Sequence, residues 1–151
     1  MTQETGHPEL PATQAALAAE HATLYGYGVV GARIDGERAK EVRQAHAAHR
    51  SGRDALHRAV RDLGATPVPA AAGYLLPFPV TDSDSALALA AELEDRLAGV
   101  YADLVRATGG STRRQAAGAL TAAAVRAARW RGAGVPFPGL PEHRSPAEGR
   151  N

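Results

Sequence analysis

The stretch Gly64–Val80, GATPVPAAAGYLLPFPV, decides the fold. It carries Pro67, Pro69, Pro77 and Pro79. Proline fixes φ, removes a donor and holds the residue before it out of the helical region, so the segment is extended. At ~3.3 Å per residue it reaches ~55 Å. The helical segment before it, about 27 residues long, measures ~40 Å. The connection therefore traverses the whole length of a helical bundle.

The chain on either side reads as two pairs of helices with tight connections. The first helix runs from about Pro11 to Ile34 and turns at Asp35-Gly36. The second runs from about Glu37 to Leu63 and stops at Gly64. The third follows Thr81-Asp82-Ser83-Asp84, rich in N-cap residues, and runs to about Thr108. Gly109-Gly110 breaks it, and Ser111 is expected to cap a fourth helix ending near Arg131. Short, long, short connections are the pattern of a four-helix bundle with one long crossover between helices 2 and 3. Leu75, Leu76 and Phe78 are expected to pack the crossover onto the helices. The expected domain is residues 10–138, between a flexible N-terminus (1–9) and a disordered tail (139–151).

Each helix carries a 3-4 spaced stripe for the core. Helix 1 offers Leu17, Glu20, Leu24, Tyr27 and Gly31. Helix 2 offers Val42, His46, His49, Arg53, Leu56, Val60 and Leu63. Helix 3 offers Leu87, Ala90, Glu94, Leu97, Tyr101 and Leu104. Helix 4 offers Ala116, Leu120, Ala123, Ala127 and Trp130, with Arg126 at its edge. Three stripes thus bury ionisable groups near mid-helix. An unpaired buried charge is costly, so these groups should find one another. There is also an internal echo: Glu20 precedes Tyr27 by seven residues, Glu94 precedes Tyr101 by seven, and Pro-Phe-Pro occurs at 77–79 and 136–138. This suggests a duplicated helical hairpin. Of Tyr25, Tyr27 and Tyr101, a tyrosine one turn from a buried glutamate on its own helix is expected to donate its hydroxyl to that carboxylate. Gly26, Gly28 and Gly31 suggest close approach of a neighbouring helix or the crossover. Trp130 either caps the core or sits at a dimer interface.

Composition excludes several classes. The chain has 151 residues, 44% of them hydrophobic, which suits one folded domain. Without cysteine there is no disulfide, thiolate metal site or cysteine nucleophile. No apolar run approaches a membrane span, and the first eleven residues lack the basic and apolar regions of a signal peptide, so the cytoplasm is expected. Seventeen basic against sixteen acidic residues leave a net charge of +1, and nucleic acid is not expected as a partner. Lys40 is the sole lysine, a bias that fits a GC-rich genome and discounts surface arginine as a signal. No Gly-x-Ser-x-Gly elbow supports nucleophilic catalysis.

The run Ala18-Ala19-Glu20-His21 to Tyr25-Gly26-Tyr27-Gly28, the His46/His49 to Arg53-Asp54 run, Leu75-Leu-Pro-Phe-Pro-Val-Thr-Asp82, and Glu92-Leu-Glu94-Asp95 to Tyr101 together resemble the ferritin-like superfamily. Within it they resemble an uncharacterised bacterial family of unknown function. Ferritin-like di-iron proteins take a Glu from each of two helices and Glu-x-x-His from each of the others. By resemblance, Glu20 and Glu94 match the single carboxylates, and Asp54-Ala-Leu-His57 stands for one Glu-x-x-His. Helix 4 supplies nothing: Asp103 and Glu142 enclose no Asp, Glu or His. The expectation is a degenerate di-iron constellation turned into a buried network of Glu20, Tyr27, His46, His49, Arg53, Asp54, Glu94, Tyr101 and Arg126. Such a domain acts by binding a protein partner or small ligand, or by self-association as a homodimer. No cofactor is then expected. The alternative is an oxidase or storage protein holding a divalent ion (iron, manganese or zinc) with Glu20, His49, Asp54, His57 and Glu94.

Overall fold

The computed structural model describes residues 8–132. The expectations for the two termini, and the second Pro-Phe-Pro segment, lie outside these residues. The described chain is four helices without a strand: α1 Glu9–Gly31, α2 Gly36–Asp62, α3 Ser83–Ala107 and α4 Gly110–Arg131. The all-α four-helix architecture read from the sequence is the one observed.

The helix ends follow local chemistry. Asp82 caps α3, its Oδ1 accepting from the Ser85 amide at 2.8 Å, while the Asp82 amide donates back to Ser85 Oγ at 3.1 Å. The Ser85 hydroxyl, donating to Asp82 Oδ1 at 2.6 Å, and then the Ser85 amide hold the Asp82 carboxyl below its ordinary value. The fourth helix differs from expectation: it starts at Gly110, Gly109 is its N-cap without a side-chain bond, and Ser111 lies inside the first turn. Gly36 and Gly110 open α2 and α4 with φ of +67° and +56°. These are left-handed values that glycine adopts without strain.

The duplication extends beyond the Glu–Tyr echo. Glu9 and Ser83 start α1 and α3, and Gly36 and Gly110 start α2 and α4; both pairs are 74 positions apart, as are Glu20 and Glu94. Within each hairpin the helices are antiparallel, and α1 also runs antiparallel to α3, placing Tyr27 opposite Glu94 and Glu20 opposite Tyr101. Two parallel helices, α2 and α3, must then be joined by a connection of full bundle length. The segment 63–82 lies along α1 from end to end. Gln14 donates to the Thr66 carbonyl (2.7 Å) and accepts from the Val68 amide (2.9 Å). Further on, His21 Nε2 meets the Val68 carbonyl at 3.0 Å, Tyr74 leans on Tyr25, and Arg33 reaches the Thr81 carbonyl. Leu76 and Phe78 pack on the core, whereas Leu75 is 99% exposed, which corrects its expected role. In an extended chain successive side chains alternate sides, so Leu76 inward puts Leu75 outward.

The core is in two parts. One holds Tyr27, Val30, Val42, Leu89, Leu93 and Trp130. The other holds Leu17, Leu56, Val60, Leu97, Leu104 and Ala116. Of the helix-1 glycines, Gly26 is the one in close approach, since a Cβ there would collide with Leu93. A layer of buried polar side chains crosses the waist between the two parts.

Candidate functional site

That layer is centred on His49, 3% exposed. Its Nδ1 lies 2.9 Å from Glu20 Oε2 and its Nε2 2.7 Å from Glu94 Oε1. Carboxylates only accept, so a ring bonded to two of them must donate from both nitrogens and is an imidazolium. Burial alone pushes the His49 ring down. The hydrogen bonds to Glu20 and Glu94 and their negative charges outweigh it and raise the ring to about 9.

Two tyrosines complete the layer, and they cross over. Tyr27 donates to Glu94 Oε1 at 2.5 Å, and Tyr101 donates to Glu20 Oε1 at 2.5 Å. This corrects the expectation that each tyrosine serves the glutamate on its own helix. Seven residues along a helix span ~10 Å, too far for a hydrogen bond. The antiparallel crossing of α1 and α3 brings the other helix's carboxylate into reach instead. Burial first, then the adjacent glutamate charges, push both phenols far above their ordinary value. On double-mutant analysis, Tyr27→Phe should couple to Glu94→Gln by about 1 kcal/mol or more and little to Glu20→Gln. The reverse pattern in chemical denaturation would restore the own-helix pairing.

Trp130 is a member that sequence reasoning did not place in the network. Its Nε1 donates to Tyr27 Oη at 2.9 Å, and the Arg38 guanidinium covers its ring at 5.5 Å. The available signal was its burial position on helix 4, because a buried indole N–H needs an acceptor. Arg126 approaches from the same helix, Nη1 at 3.8 Å from Glu94 Oε2. That oxygen is buried and has no hydrogen-bond partner.

Four sequence candidates do not join. His46 is half-buried beside the layer, its ring pushed down by burial first and then by Arg50, His49 and Arg53. Arg53 bonds Asp54 at 2.8 Å near the surface, and the Asp54 and His57 residues are exposed. The Arg53 bond also holds the Asp54 carboxyl below its ordinary value. The physical reason is helix register. Val42, His49 and Leu56 fit two 3-4 stripes, one through His46 and Arg53, the other through Ala45 and Gly52. The second is the buried one, with Ala45 4% exposed, because small residues let α2 approach the carboxylates.

Gly52 is the second functional position missed. A Cβ there would stand 2.9 Å from Glu20 Oε1, which Tyr101 already holds in place. Alanine is favoured over glycine in a helix interior by about 1 kcal/mol. Here the order inverts: Gly52→Ala should lower the urea midpoint, and a raised midpoint would show that the carboxylate moves freely. Beside Gly52 and Tyr101 a cleft of about 670 Å³ opens between α2 and α4, walled by Leu56, Leu104, Ala116 and Ala119. Helices α2 and α4 make little direct contact with each other.

These features define the class of protein. Residues 12–142 match the family described as Domain of unknown function (DUF4439), and the chain belongs to that family. Its fold matches a crystal structure of a conserved hypothetical protein, rv2844, from Mycobacterium tuberculosis, with 36% sequence identity and a TM-score of 0.81 over 85% of this chain and 98% of that one. No match was found among curated proteins. No helix among the described residues is long and apolar enough to cross a membrane.

Proposed function

We propose that this chain is a ferritin-like domain that acts by binding rather than by catalysis, its metal constellation replaced by an internal ion network. The observation that carries this reading is His49. Both ring nitrogens are committed to carboxylates in a cluster where Glu20 is 2% and Glu94 0% exposed. An imidazolium has no lone pair to give a metal. A general acid or base must also reach its substrate, and these groups are closed off from one. The donor set does not fit a di-iron centre either. Asp54 and His57 face outward, α4 contributes no carboxylate or imidazole, and the Arg126 cation occupies the flank where one would enter. Repulsion between a guanidinium and a metal ion opposes binding there.

The test is metal retention. The protein, purified without chelator or affinity histidines, is exposed to iron, manganese and zinc, desalted, and its metal counted by mass spectrometry. Far less than one equivalent per chain is expected for each. About one equivalent retained, and lost in Glu20→Ala or Glu94→Ala, would replace this reading with a metalloprotein.

A further inference from the structure

The net charge of +1 averages over an uneven distribution. Helices α2 and α4 together carry twelve Arg and Lys against four Asp and Glu. The rest of the described chain carries three basic residues, Arg33, Arg96 and Arg106, against nine acidic ones, seven of them outside the buried layer of Glu20 and Glu94. One side of the bundle is therefore strongly basic and the other acidic. A genome bias toward arginine raises its number everywhere and does not explain this segregation. Nor do internal ion pairs use the cations up. On α2, Lys40, Arg43, Arg50, Arg58 and Arg61 are exposed and make no ion pair with any described residue. They fall within about a quarter of the helix circumference at 100° per residue and extend over ~30 Å of its length. Within that arc stands one acid, Asp54, already bonded to Arg53, and a second, the exposed Asp62, follows Arg61 at the end of the helix.

From this arrangement we infer that the outer face of α2 binds the phosphate backbone of a nucleic-acid duplex. The inference rests on the reading of the chain as a binding domain and names its partner. Rigidly spaced guanidinium groups suit phosphate, which they bind in bidentate fashion. The acidic opposite side turns away from a polyanion and so orients the approach. The other polyanions fit less well. Single strands are held by stacking on aromatic side chains, and this face has none. Anionic membranes are bound by basic helices that also insert large apolar residues, whereas the outward positions between these cations are Ala47, Ser51 and Asp54. Among the described residues no element projects to read base edges, so this face recognises phosphates, without sequence preference.

The experiment is fluorescence anisotropy of a short labelled mixed-sequence duplex titrated with the full chain at salt from about 50 to about 200 mM. Binding is expected, with log K falling against log[salt] at a slope of about −4 to −5, as about five phosphate contacts require. The triple variant Arg43→Gln/Arg50→Gln/Arg58→Gln should lose at least about tenfold in affinity and flatten the slope by about three. All three residues are exposed, and circular dichroism checks that the variant is folded. Arg96→Gln, on the acidic side, should bind as the parent does. No binding at the lowest salt, binding that the triple variant leaves unchanged, or a preference for phosphatidylglycerol vesicles or single strands would each overturn the inference. Any of these removes the duplex assignment alone, because metal retention tests the binding-domain reading separately.

Discussion

Replacing His49 with alanine is expected to destabilise the bundle by about 3–5 kcal/mol, the cost of breaking a buried pair so that charge is left unpaired. In a chain of this size that lowers Tm by roughly 10 °C. The reason is the arrangement at the waist. Glu20 and Glu94 are held in the core by the His49 cation between them, with Arg126 in a longer ion pair to Glu94. The tyrosine hydroxyls still donate to each carboxylate in the variant, but a hydroxyl brings no charge. Arg126 keeps its 3.8 Å ion pair with one oxygen of Glu94, which is too long for a hydrogen bond and does not reach Glu20. Adding Glu20→Gln and Glu94→Gln to His49→Ala removes the unpaired charge and should recover much of the loss. A Tm within a degree or two of the parent for His49→Ala, measured by circular dichroism, would show that the layer is not an ion network.

The same histidine makes the protein sensitive to alkali. Its folded-state value, about 9, lies above the ordinary 6.5. A raised value contributes stability that is complete below about 6.5 and is lost as pH rises through about 9. The difference corresponds to about 3 kcal/mol. Thermal stability should therefore fall steadily between about pH 6.5 and 9. Above about pH 10 a second loss follows, as the unfolded chain ionises phenols that Tyr27 and Tyr101 keep protonated in the fold. His46 is displaced in the opposite direction, so its contribution falls on the acid side of 6.5, outside this window. Melting curves across pH 6 to pH 9 for the parent and for His49→Ala separate the effects: the slope should be present in the first and largely absent in the second. A parent Tm that is flat over this range would mean that His49 is neutral in the fold.

Much of this architecture is legible along the chain because local chemistry writes it there. The prolines of 67–79 forbid helix in the connection, and its length lets α2 and α3 run parallel. The Asp82 cap and the glycines at 109–110 bound α3 through hydrogen-bonding capacity and backbone freedom, which depend on immediate neighbours. Glu20, His49 and Glu94 stand out because charges on apolar stripes are costly without partners. These features need no knowledge of what lies across the bundle.

The partners themselves are another matter. A helix at 3.6 residues per turn tolerates two stripes through Val42, His49 and Leu56. Packing chooses between them, and the small Ala45 and Gly52 face inward while His46 and Arg53 move to the flank. The crossed tyrosines follow from the antiparallel pairing of α1 and α3, a relation between segments some 74 positions apart. The indole of Trp130 finds Tyr27 across more than a hundred residues for the same reason. The basic face of α2 is invisible in a net charge of +1, because summation along the chain discards position. The sequence by itself determined the helices, the long crossover and the need to neutralise buried carboxylates. Only the tertiary structure decided which cation and which hydroxyls do so, because hydrogen bonds act over about 3 Å and only packing brings distant segments that close.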